Sequence, residues 1–413
     1  MYTAFKYKLK PTKEQEQRLS NWMGASRWIW NWCLELNQKE YANTKKFIFR
    51  NELKCQLPKL KEEHEWLKDV PSQALQNRVI DFDQALKRVW KSKFGFPKFK
   101  SKKIEHHNTL RISQINNHIK ISRKQIQIPK MGWCDWRYHR PIKGTLKSIT
   151  IKRENGVWWC VCLCELPDPV ICTNAIDADV VGIDLGLKDF AVTSDGEVFG
   201  TPKIYRKKQK KLRRLQRILA RRRIGSKNRE RARKRLNRLH YKIKNQRQDF
   251  THKISSQITN DYLFIALEDL NIKGMMKNRR LSKAIADQGW RQFVNQLEYK
   301  SKAKGGCMVR IGRWLPSSKT CSSCGNHQDM PLSVRIYSCS GCGMKMSRDV
   351  NAALNIKQWG IDTINRCGTH RIYACGDTND GGNEQSSPSY VSGKQEKFMD
   401  KDEVISIHEA VAL

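Results

Sequence analysis

Three acidic residues stand apart in a chain whose charges are mostly positive. Asp184 lies in Val-Val-Gly-Ile-Asp-Leu-Gly, an apolar run typical of a buried strand, and Glu268 closes a second apolar run, residues 262–267. Asp349 opens a segment of helical character, Asp-Val-Asn-Ala-Ala-Leu-Asn-Ile. Two acids on strands and one in the first turn of a helix can meet at one edge of a sheet. Carboxylate oxygens are the ligands that Mg²⁺ and Mn²⁺ prefer, so the pattern predicts a divalent-metal site.

Such a site suits phosphodiester hydrolysis, because two Mg²⁺ (or Mn²⁺) ions can activate water and stabilise the leaving oxygen. The positive end of a helix dipole favours the ionised form of Asp349, which metal binding requires. Strand alternation puts Asp269 on the face opposite Glu268, so we expect only one of the two to enter the site. The order of the three acids is the one that a ribonuclease-H-like α/β core needs.

Four cysteines predict a second metal site. They form two C-x₂-C pairs separated by 14 residues: Cys321, Cys324, Cys339 and Cys342. Paired thiolates on a short hairpin are typical of tetrahedral zinc. A glycine follows each pair (Gly325 and Gly343) and suits a tight turn that aims backbone N–H groups at sulfur. Because four thiolates leave no open position, we expect one structural Zn²⁺ without a hydrolytic role.

The chain is strongly basic, with 79 Lys and Arg against 40 Asp and Glu and a net charge of +39. The surplus predicts a polyanionic partner. It is densest over residues 203–247, where 22 Lys or Arg face a single acid, Glu230. Leucines recur there at helical spacing on both sides of a break at Ile224-Gly-Ser, which predicts a helical hairpin over 203–250. Ordinary solvated helices mix charge signs, so this surface indicates phosphate binding.

Candidate nucleic-acid contacts follow from these basic segments. Seven lie in the hairpin and two in a basic, aromatic loop that begins near Phe94: Lys207, Lys208, Lys211, Arg214, Arg221, Arg222, Arg223, Lys98 and Lys100.

The N-terminal part predicts a small β-barrel with an inserted helical segment. Residues 2–9 have the pattern of a strand, and Thr12 with Gln15 forms a capping box that begins a helix. Helical character continues to about residue 88. Alternating polarity then predicts strands at 119–121, 126–128, 149–151 and 157–165. Cys160, Cys162 and Cys164 share one strand face, which indicates core packing.

The later part predicts strands at 180–187, 190–193, 262–267 and 307–314 and a helix over 282–302. No apolar run approaches the roughly 20 residues of a membrane span, and the N-terminus has no signal-peptide core. We therefore expect no membrane partner. The expected location is the cytoplasm of a prokaryotic cell, in association with the nucleoid. Fourteen cysteines in that compartment favour metal ligation over disulfides.

Several motifs together resemble the TnpB (OrfB) family, which is similar to the type V CRISPR effectors. They are Gly182-Ile-Asp-Leu-Gly, Leu267-Glu-Asp-Leu, Pro316-Ser-Ser-Lys-Thr-Cys-Ser-Ser-Cys-Gly and Arg348-Asp-Val-Asn-Ala-Ala-Leu-Asn-Ile, with outlying matches in Gly95-Phe-Pro-Lys-Phe-Lys and Pro141-Ile-Lys-Gly. The resemblance covers roughly residues 1–375, in the expected order.

The resemblance implies an RNA-guided DNA endonuclease encoded by an insertion sequence. A guide RNA from the transposon end would pair with double-stranded target DNA beside a short flanking motif. Asp184, Glu268 and Asp349 would be the acids of a RuvC-like domain, and the four cysteines would form the inserted zinc finger. One position departs from the family: Ser347 stands where the family usually has Asp. Serine can cap the following helix, so we expect activity to survive.

The predicted fold class is a multidomain α+β chain. The expected divisions are a wedge-like β-barrel (1–10 and 106–176), an inserted helical recognition domain (11–105), a RuvC-like nuclease domain (177–314 and 346–375), a zinc finger (315–345) and a flexible tail (376–413). Two other functions fit parts of the pattern. One is a nuclease-inactive RNA-guided repressor, and the other is a zinc-ribbon regulator of transposition without guide RNA. The presence of all three acids favours the nuclease.

Overall fold

The computed structural model describes residues 1–92, 95–113, 115, 119–170, 179–331 and 333–375. These residues form two compact units, one within Tyr2–Leu166 and one from Pro167 onward. The expected domain boundary at residue 177 and the expected tail at 376–413 both lie outside the described residues. Among the described helices, none has the length and apolarity needed to cross a membrane.

The first unit contains a six-stranded antiparallel sheet with strand order β2-β5-β6-β1-β4-β3. The strands are β1 Tyr2–Lys10, β2 Thr109–Ile112, β3 Gln125–Ile128, β4 Gly132–Arg137, β5 Thr145–Glu154 and β6 Val157–Glu165. Four α-helices lie between β1 and β2: α1 Lys13–Thr44, α2 Arg50–Cys55, α3 Leu57–Glu63 and α4 Ser72–Ser92. Two short 3₁₀ turns span Glu65–Asp69 and Glu105–His107.

Most sequence predictions for this unit are confirmed. The Thr12 side chain accepts from the Gln15 backbone while the Gln15 side chain accepts from the Thr12 backbone, so the capping box is present. The three cysteines of β6 are fully buried, as core packing requires. The expected strand at 119–121 is wrong: Ile121 makes only an isolated bridge, and β2 and β4 were not predicted. The closed barrel is not confirmed, since β2 and β3 are the two ends of the strand order.

The second unit contains a five-stranded mixed sheet with strand order β11-β10-β7-β8-β9. Strand β8 is antiparallel to both of its neighbours, β7 and β9, whereas β10 is parallel to both β7 and β11. The strands are β7 Val180–Asp184, β8 Asp189–Thr193, β9 Val198–Gly200, β10 Phe264–Glu268 and β11 Met308–Ile311. The helices are α5 Ile204–Ala220, α6 Lys227–Asp261, α7 Ile272–Met275, α8 Ser282–Gln288, α9 Trp290–Ala303 and α10 Arg348–Cys375. A separate hairpin pairs β12 Ile336–Ser338 with β13 Lys345–Ser347.

Several sequence predictions for this unit need correction. Strand β7 ends at Asp184 and not at residue 187, and α6 continues to Asp261, beyond the expected end of the hairpin at residue 250. The helix expected over 282–302 is two helices, α8 and α9, separated by Gly289 in the left-handed conformation (φ +72°). Few residues other than glycine adopt that backbone conformation, so the helix ends there. The strand expected over 307–314 is shorter, because the chain leaves the sheet after Ile311 and turns toward the cysteine segment.

Helix α10 packs directly on the sheet because two glycines leave room for its backbone. A Cβ atom built on Gly182 of β7 would lie 2.0 Å from the carbonyl oxygen of Ala353 and 2.5 Å from the backbone nitrogen of Lys357. A Cβ atom on Gly360 of the helix would lie 2.4 Å from the Cβ of Ala266 in β10. This close contact brings the first turn of α10 near the ends of β7 and β10.

We expect Gly182→Ala to destabilise the second unit by about 3 kcal/mol, because the added methyl group would overlap the backbone of α10 at Ala353 and Lys357. By differential scanning calorimetry its unfolding transition should fall by roughly 6–12 °C. The matched control is Gly200→Ala, where no atom lies within 4 Å of the added Cβ. If the unfolding temperature of Gly182→Ala equals that of the parent, α10 does not pack closely on β7 at this position.

Candidate nuclease site and zinc ribbon

Asp184 and Glu268 end two neighbouring parallel strands. Ile183 of β7 is paired with Leu267 of β10, so the acids that follow them come out at the same edge of the sheet. Asp349 lies in the first turn of α10, the helix that packs across these strands. The predicted elements for all three acids are therefore confirmed.

The three carboxylates form one electrostatic cluster. Burial and, after it, the negative charges of Glu268 and Asp349 together raise the pKa of Asp184 to about 7. Mutual repulsion of this kind is what a cation between the acids would relieve. Three hard oxygen donors with this repulsion fit Mg²⁺ or Mn²⁺ better than a softer metal.

Arg348 supplies positive charge beside the cluster. Its charge opposes the rise in the pKa of Asp184, and its side chain is buried. The guanidinium donates to the carbonyl oxygen of Pro331 at 2.7 Å and to Ser318 Oγ at 3.1 Å. Sequence analysis used Arg348 only as part of a motif and assigned it no role.

Glu268 and Asp269 have different partners. Glu268 accepts a hydrogen bond from Ser317 Oγ and acts on the pKa of Asp184. Asp269 instead pairs with Arg313, whose Nη2 lies 2.6 Å from Asp269 Oδ2. This division agrees with the expectation that only one of the two acids enters the site.

The four cysteines come together as the sequence predicts. Their Sγ atoms all lie within 4.8 Å of one another, and in the described part of the chain no other group of three or more His, Cys, Asp or Glu side chains is gathered this closely. The backbone N–H of Cys342 donates to Cys339 Sγ and lowers the pKa of that thiol to about 6. Gly325 and Gly343 have φ of +74° and +73°, as the predicted turns require. Four gathered thiols, one with its thiolate already favoured, fit zinc.

Two buried asparagines attach the four-cysteine ribbon (residues 315–345) to the helix that carries Asp349. Asn351 donates to the carbonyl oxygen of Thr320 at 2.7 Å and accepts from the backbone N–H of Ser322 at 2.9 Å. Asn355 donates to the carbonyl oxygens of Ser317 and Thr320 at 2.8 and 2.7 Å. Sequence analysis missed this role, although two asparagines four residues apart on an apolar helix were a usable signal.

The predicted basic hairpin is present as α5 and α6. Its helices meet along a seam of leucine and isoleucine side chains, centred on Leu212, Leu236, Leu239 and Ile243. Six of the seven candidate contacts in this hairpin are exposed: Lys207, Lys211, Arg214, Arg221, Arg222 and Arg223. Lys208 is partly buried and donates to Gln246 Oε1. The hairpin thus presents dense positive charge to solvent.

The two candidates in the first unit differ from each other. Lys98 is exposed. Lys100 lies over the ring of Trp30, with Nζ 3.4 Å from the ring centroid, and burial lowers its pKa to about 7. The backbone of Lys100 is also paired with the side chain of Asn31. Lys100 is therefore part of the packing of α1, and its contact with nucleic acid stays a prediction.

Three protein-family models match the chain. A model described as "Probable transposase" (OrfB) matches residues 163–279, one described as "Cas12f1-like, TNB domain" matches residues 290–356, and one described as "Helix-turn-helix domain" matches residues 1–46. In the structure, residues 1–46 hold β1 and the single long helix α1. The second match contains all four clustered cysteines and Asp349.

Two curated relatives align over nearly the whole chain. A protein of Escherichia coli (strain K12), named as an RNA-guided DNA endonuclease, InsQ, is 30% identical over 91% of this chain and 94% of its own length. A protein of Streptomyces pristinaespiralis, also named as an RNA-guided DNA endonuclease, is 32% identical over 95% of this chain and 96% of its own length. Among solved structures, a Cas12f1 complex with single guide RNA and target DNA covers 86% of this chain at 18% identity, with a TM-score of 0.33.

Proposed function

Because this chain belongs to the TnpB (OrfB) family, we propose that it is an RNA-guided DNA endonuclease of an insertion sequence. The observation that carries the proposal is the alignment of two relatives named for this activity over more than nine-tenths of the chain. Its partners are a guide RNA from the transposon end and double-stranded target DNA beside a short flanking motif. Base pairing supplies most of the sequence specificity in such a system, and protein groups read the flanking motif.

We assign the second unit to a RuvC-like nuclease domain. Its strand order, with three antiparallel strands followed by two parallel ones, supports a ribonuclease-H-like arrangement. Residues 315–345 are the inserted zinc finger in this assignment. Residues 1–10 and 106–176, of which 171–176 lie outside the described residues, form the wedge-like domain in this assignment, and residues 11–105 form the inserted recognition helices.

Asp184, Glu268 and Asp349 would hold two Mg²⁺ or Mn²⁺ ions and are the catalytic residues of this proposal. When bound, the ions supply an activated water and neutralise charge on the scissile phosphate. The protein keeps the carboxylates in place: β7 and β10 set two of them side by side, and Ser317 orients Glu268. Arg348 limits the repulsion among the acids before metal binds.

The basic hairpin would hold the phosphates of the guide RNA and of the DNA. Its exposed cations far outnumber its acids, so the hairpin reduces its own repulsion when it binds a polyanion. The same interaction releases counterions, so binding should weaken steeply with salt.

Changing Arg221, Arg222 and Arg223 together to glutamine should reduce the salt dependence of nucleic-acid binding. If each contacts one phosphate, the slope of log affinity against log salt should fall by up to about 3. Filter binding at several salt concentrations measures this slope. The matched control changes the same three residues to lysine, which keeps the charge. If the glutamine variant has the same slope as the parent, these three arginines do not contact phosphates of the bound nucleic acid.

We expect Ser317→Ala to raise the Mg²⁺ concentration needed for half-maximal cutting by about 10- to 100-fold, the usual range for a residue that orients a metal ligand. The loss of the hydroxyl frees Glu268 to rotate away from the other acids. Ser322→Ala in the same ribbon is the control, because Asn351 contacts the Ser322 backbone and not its side chain. Equal metal dependence in both variants would show that Ser317 does not position Glu268.

The proposal is tested by purifying the protein with its co-expressed RNA and sequencing that RNA. We expect one RNA species from the end of the element, and cutting of matching double-stranded DNA only with Mg²⁺ or Mn²⁺. Guided binding without cutting would identify an inactive repressor. The absence of a bound RNA, together with DNA binding, would identify an unguided regulator.

A further inference from the structure

The segment from Arg313 to Ser317 carries the most exposed large apolar side chain in the described part of the chain. Trp314 is 91% exposed, and its neighbour Leu315 is 44% exposed. Neither belongs to the core of the sheet or of the four-cysteine ribbon. Single exposed apolar residues are ordinary in proteins, so exposure alone does not indicate that Trp314 binds a ligand. Its position in the fold must supply the argument.

Both ends of this segment are attached to the strand end that carries Glu268. At the first end, Arg313 pairs with Asp269 at 2.6 Å. At the second end, Ser317 Oγ donates to Glu268. Glu268, the last residue of β10, and Asp269, which follows it, thus hold two residues that are only four apart, and Trp314 lies between those two in the sequence.

Backbone hydrogen bonds make the segment a defined turn. The N–H of Leu315 donates to the carbonyl oxygen of Gly312 at 3.1 Å, and the N–H of Ser317 donates to that of Leu315 at 2.9 Å. Trp314 is therefore presented on a short turn that is fixed at both ends. The backbone of such a turn loses little conformational entropy when Trp314 binds a ligand.

We propose that Trp314 stacks on a base of the single-stranded DNA that enters the acid site. This inference rests on the proposed nuclease function and adds a binding residue to it. Guide pairing displaces one strand of the target DNA as single-stranded DNA, so the bases of that strand are open to an aromatic surface. Aromatic rings stack on every base, which suits an enzyme whose cut site is set by the guide and not by local sequence.

The chemistry around Trp314 favours DNA over a protein partner. A protein partner would need an extended apolar patch, whereas Trp314 and Leu315 stand beside charged residues. Arg335, which is half exposed and lies 3.8 Å from Asp349, adds positive charge near the same site. The chain as a whole carries +39 and attracts polyanions.

The first test compares Trp314→Ala, Trp314→Phe and Trp314→Leu in the full chain with its guide RNA. We expect Trp314→Ala and Trp314→Leu to cut target DNA about 5- to 150-fold more slowly in single turnover, the range for loss of one base stack. Trp314→Phe keeps an aromatic face and should restore most of the rate. Target binding, zinc content and the Mg²⁺ concentration for half-maximal cutting should stay at the parent's values. Leu315→Ala is the matched control and should cut normally.

The second test measures stacking without cutting. The probe is a single-stranded DNA oligonucleotide with 2-aminopurine, bound by the Asp184→Ala protein. We expect quenching of its fluorescence that Trp314→Ala removes and Leu315→Ala retains. An RNA oligonucleotide of the same sequence is measured for comparison, and the proposal requires that quenching of the DNA depend on Trp314.

Three results would overturn the proposal. Unchanged cutting and quenching in Trp314→Ala would exclude stacking. If Trp314→Ala changes the Mg²⁺ concentration needed for half-maximal cutting but leaves the quenching unchanged, the turn only positions Glu268 and does not bind DNA. Trp314-dependent quenching of RNA alone would assign the residue to the guide. The nuclease proposal is tested separately by the parent protein. If the parent does not cut target DNA, the nuclease proposal fails.

Discussion

Replacing Asp184 with alanine is expected to abolish DNA cutting, with a loss of at least about 10³-fold, while target binding changes little. Asp184 ends the central strand of the mixed sheet and interacts with both other acids. Removing it deletes a shared metal ligand, so the remaining two carboxylates cannot hold the ions as tightly. Binding depends on guide pairing and on the basic surface, neither of which involves Asp184.

The measurement is single-turnover cutting of a matching target beside a gel-shift assay of target binding. Asp329→Ala is the matched control, because Asp329 is an exposed acid of the same unit and pairs only with Lys319 at the surface. The control should cut and bind like the parent. Cutting by Asp184→Ala at the parent's rate would disprove the assignment of the acid site.

Replacing Cys339 with serine should remove zinc and, with it, most of the activity. Zinc in a four-thiolate site contributes on the order of 10–16 kcal/mol to folding of its domain. Cys339 has the thiol whose pKa the backbone lowers most clearly, so serine removes a ligand that is ready to bind. Without zinc the ribbon should unfold, and Ser317 would no longer be held against Glu268. We expect cutting to fall by at least about 100-fold.

Zinc content per chain, measured by elemental analysis, should fall from one to near zero in Cys339→Ser. Cys55→Ser is the control, since Cys55 is an exposed free cysteine outside the ribbon. It should keep one zinc and full activity. A Cys339→Ser protein that retained one zinc per chain would contradict the four-thiolate site. A protein that lost zinc and cut normally would separate the ribbon from the acid site.

Local chemistry made parts of the fold predictable. The capping box at Thr12, the turn glycines after each cysteine pair, and the leucine seam of the basic hairpin depend on neighbours in sequence. Such interactions have the same geometry in most proteins, so their patterns could be recognised without a structure. The acids were also found this way, because each stood at the end of a clear strand or at the start of a helix.

Other features were missed because they depend on contacts between distant residues. The short strands β2 and β4 contain too few alternating positions to be recognised alone, and each pairs with a longer strand, β5 or β1. The break at Gly289 lies inside a segment with helical periodicity and is set by a left-handed backbone conformation. The hydrogen bond from Ser317 to Glu268 joins residues that are 49 apart in the sequence, and no local sequence pattern predicts it.

The sequence alone determined which side chains can do chemistry: three carboxylates for divalent metal, four thiols for zinc, and a basic surface for phosphate. Those assignments follow from residue type, spacing and charge, which need no coordinates. Only the tertiary structure decided that the four-cysteine ribbon and the acid site are joined through Ser317, Asn351 and Asn355, and that Trp314 lies on a turn attached to Glu268 and Asp269. The physical reason is that hydrogen bonds and exposure depend on how β10, β11 and α10 pack, and this packing is a property of the whole unit.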